Sequence, residues 1–241
     1  MDNIKKKFNE LRLKHCAGHL EEMMALASSK NLSPQEIIER LLDFELEARE
    51  QARIALRFKQ ANLDEKTTID AFDFKHHVSR QNYKTLILSL MDLEFIQKRK
   101  DVILIGNPGV GKSYLAKCLA YAATQKGVKT LFTSAMDMIN HLITAEANHS
   151  LLKKLQHYQS QDLLVVDEIG YLPLGRQGSN LFFQVISARH TKKSTVITTN
   201  LPFADWSNIF DGTTAATAIA DRLIYNSEIL ILEGPSYRIK A

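Results

Sequence analysis

The stretch Val102-Ile103-Leu104-Ile105-Gly106-Asn107-Pro108-Gly109-Val110-Gly111-Lys112-Ser113 decides how this chain is read. The apolar run Val102–Ile105 predicts a buried strand. The residues after it fit G-x-x-x-x-G-K-[ST] at every fixed position, and a helical pattern follows over 112–125. The motif requires that context. Glycines let the backbone curl so that successive N–H groups face phosphate oxygens, and a helix N-terminus adds its positive dipole end. The pattern assigns Lys112 to the β- and γ-phosphates of ATP and Ser113 to a Mg2+ ion. Nucleotide contacts are expected from Gly106, Asn107, Pro108, Gly109, Val110, Gly111, Lys112, Ser113 and Tyr114.

Downstream, short apolar runs alternate with helical patterns. Strands are expected near Val102–Ile105, Val128–Thr133, Leu163–Asp167, Thr195–Asn200 and Ile229–Leu232, with helices over 112–125, 136–146, 150–159, 179–190 and 214–225. Parallel strands need crossover connections of about this length, so the fold class is α/β, a five-stranded parallel sheet covered by helices on both faces. In such sheets the ligand crevice lies outside the C-terminal strand ends. Leu163-Leu164-Val165-Val166-Asp167-Glu168 is a buried strand ending there in two carboxylates. Asp167 is the expected magnesium residue and Glu168 the expected base for an attacking water, although a turn-capping role for Glu168 before Gly170 stays open. Asn200, ending a third strand ahead of Leu201-Pro202, would stand beside the γ-phosphate if its strand lies between the other two; turn chemistry is the alternative.

Upstream, residues 1 to about 60 read as helix with a break over Ser28–Ser33. Ser33-Pro34-Gln35-Glu36 is a capping box with proline at the first helical position. Ile37, Ile38, Leu41, Leu42 and Leu46 are the expected buried stripe of the helix it opens. Farther along, Arg49, Arg53 and Arg57 share one face with Lys59 nearby, either as a solvated face paired with Glu45 and Glu50 or as a row meeting a phosphate backbone. Residues 62–80 are polar and broken, and a further helix is expected from Arg80 to about Arg99. This organisation places a helical region at 1–68, for DNA or partner contact, ahead of a catalytic core at 69–241.

Composition bounds the rest. A chain of 241 residues, 45% hydrophobic, can bury a substantial core, and a net charge of +4 permits nucleic-acid binding without demonstrating it. Cys16 and Cys118 stand apart with no metal-ligand spacing, and His76-His77 lacks an acidic or cysteine partner cluster, so neither a zinc site nor a disulfide framework is suggested. No stretch has the uncharged length needed to cross a bilayer, and a cytoplasmic location with no membrane partner is expected.

Taken with the P-loop, the strings Asp167-Glu168-Ile169-Gly170-Tyr171-Leu172-Pro173, Thr199-Asn200-Leu201-Pro202-Phe203 with Trp206, and Ala220-Asp221-Arg222-Leu223 resemble the IstB-type ATP-binding proteins of insertion sequences. That family sits in the AAA+ branch with the DnaC and DnaI helicase loaders. The resemblance extends to the helical N-terminal part, to Phe72-Asp73-Phe74 and to Ser236-Tyr237-Arg238. It implies that Asn200 is the sensor-1 residue and Arg222 an arginine finger entering a neighbouring subunit's ATP site; without it, Arg222 reads as a surface residue paired with Asp221 or Glu228. Arg189 is a second finger candidate. Only Glu233–Ala241 follow the last strand, so no C-terminal lid domain is expected, and Arg238 is either a substitute for the lid arginine, in cis or across an interface, or a terminal arginine with no specific role. Phe72 and Phe74 are candidates for the adenine pocket, with packing expected of at least one. The implied activity is an ATPase that assembles as a homo-oligomer on DNA, expected to be duplex, and recruits or activates a transposase. Lys153-Lys154 add to the candidate phosphate contacts. A helicase loader, a small-molecule P-loop kinase and a non-hydrolysing ATP-gated scaffold are the competing readings.

Overall fold

The structure, a computed structural model, describes residues 1–239. The chain forms two compact units, Met1–Leu56 and Arg57–Ala241.

In the first unit α1 (Asp2–Glu10) and α2 (Lys14–Lys30) precede α3 (Pro34–Gln60), whose last turn belongs to the second unit. The capping box forms as its sequence requires: Ser33 N–H donates to Glu36 Oε2 at 2.8 Å, and Glu36 N–H donates to Ser33 Oγ at 3.3 Å. The buried stripe differs from the expected one. Leu41 is buried and Ile37 half-buried, but Ile38, Leu42 and Leu46 are exposed. The inward row runs Ile37, Leu41, Glu45, and its last member is a carboxylate. Glu45, 3% exposed, accepts the N–H groups of His15 and Cys16 at 2.8 and 3.2 Å, capping the open N-terminal turn of α2. A row that ends on a charge is invisible to a search for apolar spacing, which selects the neighbouring row instead.

The second unit is a five-stranded, all-parallel sheet in the order β2-β3-β4-β1-β5. Its entry segment carries short helices α4 (Val78–Asn82), α5 (Lys84–Leu90) and α6 (Glu94–Gln97), where the sequence predicts one continuous helix. The chain turns at Tyr83 and again at Leu93, which takes the left-handed conformation at φ 64°. Burial of Ile87, Leu90, Leu93 and Phe95 against the sheet offsets that strain.

The strands and helices then alternate: β1 (Asp101–Gly106), α7 (Lys112–Gln125), β2 (Thr130–Ser134), α8 (Ala135–Ala147), α9 (Leu151–Gln159), β3 (Leu163–Ile169), α10 (Gly175–Arg189), β4 (Ser194–Thr199), α11 (Gly212–Ile224) and β5 (Ser227–Leu232). Within β1, Ile103 and Ile105 face the cluster built by α8 to α11, while Val102 and Leu104 face the one built by α5, α6 and α7. This two-sided burial is why the strand reads as an unbroken apolar run. Several boundaries move, among them β3, which runs on to Ile169, and β5, which starts at Ser227. β2 starts at Thr130, β4 stops at Thr199 so that Asn200 lies just beyond it, and α10 begins at Gly175. Glu233–Ile239 follow β5 among the described residues; Lys240 and Ala241 lie outside them.

Candidate functional site

β1 delivers the chain into the P-loop, and all three motif glycines, Gly106, Gly109 and Gly111, hold conformations an L-residue rarely adopts. Gly109 (φ 80°) lies so close to Ser236 that a Cβ would collide with that side chain. At Gly111 (φ 97°) a Cβ would stand 2.8 Å from the Phe72 ring. The loop is therefore packed from outside by residues distant in sequence. Lys112 opens α7 and is 9% exposed. Its Nζ donates to the carbonyls of Gly106 and Asn107 at 2.6 and 2.9 Å. Burial pushes the Lys112 ammonium below its ordinary pKa, and the nearby Asp167 and Glu168 oppose that shift. A buried cation whose protein acceptors are two loop carbonyls retains capacity for an anionic ligand.

A cavity of about 310 Å3 lies against the loop, lined by Gly109, Gly111, Lys112, Ser113 and Tyr114 on one side and by Phe72, Asp73, Arg80, Tyr237 and Arg238 on the other. That volume is in the range of small-ligand pockets. Phe72 lines it, whereas Phe74 packs edge-on against Phe72 with ring centroids 5.0 Å apart. Tyr114 donates its hydroxyl to Thr68 O at 2.9 Å, tying the entry segment to α7.

Arg80 is the residue sequence reasoning missed. It is 2% exposed, donates to Asp73 O and Val110 O at 2.9 Å each, and stacks over the Phe72 and Tyr237 rings at 4.7 and 5.3 Å. It thus braces the loop from behind. The last described residues close over the same place: Tyr237 N–H donates to Gly109 O at 2.9 Å, and Ser79 Oγ donates to Glu233 O at 2.9 Å. His76 meets Pro235 O at 3.1 Å and His77 meets Ser79 Oγ at 3.0 Å, so both histidines serve this strapping.

β3 brings the two carboxylates to the same edge of the sheet. Asp167 is 8% exposed, and its Oδ1 accepts the Thr198 hydroxyl of β4. Between Val166↔Ile197 and Ile169↔Thr199 the register shifts, so Asp167 and Glu168 together oppose Thr198. Glu168 has φ 61°, its N–H donates to Thr198 Oγ1 at 2.8 Å, and its side chain is exposed. It lines a neighbouring cavity of about 240 Å3 with Ser134, Gly170 and Tyr171, not the one beside Lys112. β4 lies between β3 and β1, the condition under which Asn200 would stand between the carboxylates and the P-loop. Asn200 Oδ1 sits 3.1 Å from where a Cβ of Gly170 would be, directly on the turn after Glu168.

Other candidates lie elsewhere. Arg222, on α11, does not line the cavity. Its guanidinium lies 4.5 Å over the Phe183 ring and donates to Ala218 O at 2.8 Å. Arg189 is 1% exposed, with acceptors at Tyr158, Gln159, Gln161, Ser194 and Thr195. That saturation makes it an internal brace and removes it as a finger candidate. Burial pushes it down to about 10, which leaves it charged at neutral pH. In the arginine row, Arg49 pairs with Glu45 at 2.8 Å and also donates to Arg12 O, Arg53 pairs with Glu50 at 2.7 Å, and Arg57 donates to Gln60. Lys59 and Lys153 are exposed and Lys154 is half-buried.

A parallel sheet in this strand order, with a P-loop after β1 and a carboxylate pair at the C-terminal end of β3, defines a P-loop NTPase of the AAA+ kind. The family model described as IstB-like ATP binding protein matches residues 6–241, and the chain belongs to that family. It is 35% identical over 230 residues to an insertion sequence IS232 protein of Bacillus thuringiensis subsp. berliner, named for ATP binding, covering 95% of this chain and 91% of that one. It is also 35% identical over 240 residues to the corresponding IS21 protein of Pseudomonas aeruginosa, covering 100% and 90%. Among solved structures, the DnaC helicase loader superposes with a TM-score of 0.60 at 24% identity over 69% of this chain and 96% of that one. AMPPCP-bound DnaA from Aquifex aeolicus gives 0.61 at 15% identity over 74% and 54%. These two likenesses concern the fold. The chain is thus an ATP-binding protein of the IstB-like type, and no helix among the described residues is long and apolar enough to cross a membrane.

Proposed function

We propose that this protein hydrolyses ATP, assembles on DNA when ATP is bound, and in that state recruits or activates a transposase. The observation that carries the reading is the convergence, at one edge of the sheet, of Lys112 and Ser113 after β1, Asp167 and Glu168 at the end of β3, and Asn200 after the strand between them.

The roles follow from chemistry. P-loop amides and Lys112 bind the phosphates. Ser113 and Asp167 supply hard oxygen donors, and Asp167 spends only Oδ1 on Thr198, so the pair fits a magnesium ion held jointly with the nucleotide. When bound, that ion neutralises charge on the transferring phosphoryl. Glu168 accepts a proton from the attacking water and Asn200 orients it. Gly106 to Tyr114 contact the nucleotide. Arg222 completes the site of an adjacent copy, a reading supported by its position away from its own cavity. Residues 1–68 contact DNA or partner, with Arg49, Arg53, Arg57 and Lys59 as phosphate contacts, and residues 69–241 form the ATPase core. A duplex target and a cytoplasmic site of action complete the reading.

Sizing the protein with duplex DNA in ATP, a non-hydrolysable analogue, ADP or no nucleotide tests it. Large complexes are expected with ATP and the analogue alone. Complexes of one size in all four conditions would refute ATP-gated assembly.

A further inference from the structure

We infer that Thr198 is a positioning residue whose hydroxyl sets both carboxylates of the site at once. The inference rests on the roles proposed above for Asp167 and Glu168 and assigns the element that aims them. β3 and β4 run in register as far as Val166↔Ile197 and resume at Ile169↔Thr199, so two residues of β3 face one of β4. A bulge of this kind takes a backbone N–H out of the ladder and re-aims a side chain. The freed N–H is that of Glu168, and it donates to Thr198 Oγ1 at 2.8 Å. The same hydroxyl has one proton, which it gives to Asp167 Oδ1.

The arrangement is directional. An ionised carboxylate can only accept, a backbone N–H can only donate, and a hydroxyl is the small group that does both. Thr198 is 0% exposed, so no water stands ready to replace it. Its donation leaves the second oxygen of Asp167 for another ligand and holds the carboxylate plane. Its acceptance stabilises Glu168 at φ 61°, a strained conformation for a residue other than glycine that needs such support. Two residues later Gly170 (φ 105°) lets Asn200 approach the same turn. β4 therefore supplies the hydroxyl that shapes the bulge, and the residue just beyond its end supplies the amide beside it, two positions along the chain.

Thr198→Val keeps the shape and removes the hydroxyl; Thr198→Ser keeps the hydroxyl and removes the methyl. The readout is the affinity for a fluorescent ATP analogue with Mg2+ and with EDTA, together with kcat and KM for ATP. In Thr198→Val the tightening by Mg2+ should fall on the order of 10- to 100-fold, the effect typical of losing a group that orients a metal ligand, while affinity in EDTA stays as in the parent. The kcat should fall by a similar factor, and Thr198→Ser should recover both the Mg2+ tightening and kcat. Parental Mg2+ tightening in Thr198→Val, or a Ser variant as impaired as the Val one, would overturn the inference. Should Thr198→Val fail to fold, Thr198→Ala deletes the same hydroxyl and is read the same way. Glu168→Gln measured alongside separates the two levels: parental turnover there removes the base assignment, whereas lost turnover there with a parental Thr198→Val removes only the role of Thr198.

Discussion

At the start of the strands Arg189 is buried with acceptors on every side, and at their far end Lys112 is buried with two loop carbonyls. Both are cations taken out of water, yet they do different work. Arg189 joins the chain ahead of β3 to the start of β4, and near it Asp101 accepts the Thr195 N–H at 2.6 Å. The Arg189 guanidinium has an acceptor for each of its three nitrogens. Lys112, Asp167 and Glu168 sit together with oxygen and N–H capacity unspent. The difference teaches how to sort buried charge: where protein partners saturate the group it is architecture, and where they do not it awaits a ligand.

The comparison is broken most forcefully at the phosphate end. Glu168→Gln should lower ATP turnover by about 10²- to 10⁴-fold with ATP binding and melting temperature unchanged, since a positioned base contributes that much and the side chain is exposed. Steady-state hydrolysis with parallel binding checks it. At the opposite end Arg189→Ala should cost about 3–5 kcal/mol in denaturant unfolding, because its carbonyl acceptors would be left buried and unpaired.

A smaller effect is expected of Asp101, whose carboxyl is pushed up to about 7, chiefly by burial. Its folded pKa lies above its unfolded value, so the folded state holds the extra proton between about pH 4 and 7. Stability from this group is present at the acid end of that window and lost as pH rises through 7. Asp101→Asn, which keeps an acceptor for Thr195, should flatten that slope; an unchanged slope would assign it to other groups. The smallest effect belongs to the Lys193–Asp162 pair at the same end. Both partners are well solvated, and Lys193→Ala should change stability by about 0–1 kcal/mol and ATP affinity not at all.

The sheet and the candidate nucleotide site were legible because each is written in contiguous residues. Val102–Ser113 and Leu163–Glu168 carry strand, turn and chemistry within one short string each, and a strand buried on both faces announces itself. Arg80, Thr198, Arg189 and Glu45 were not legible as what they are. Each acts through backbone groups or side chains brought near only by the fold, and no local spacing marks them. The break at Leu93 was hidden for a related reason, since a leucine at φ 64° carries no glycine signal. The α3 stripe failed because its inward row ends on Glu45, a residue that pattern reading places outside.

By this division the P-loop edge is a ligand site and the Arg189 edge is framework. Thermal unfolding of Lys112→Ala and Arg189→Ala, each with and without MgATP, tests it most directly. Lys112→Ala should melt with the parent when nucleotide is absent and lose the upward shift that MgATP gives, while Arg189→Ala should melt lower and keep that shift. A Lys112→Ala protein that still gains stability from MgATP as the parent does would contradict the account.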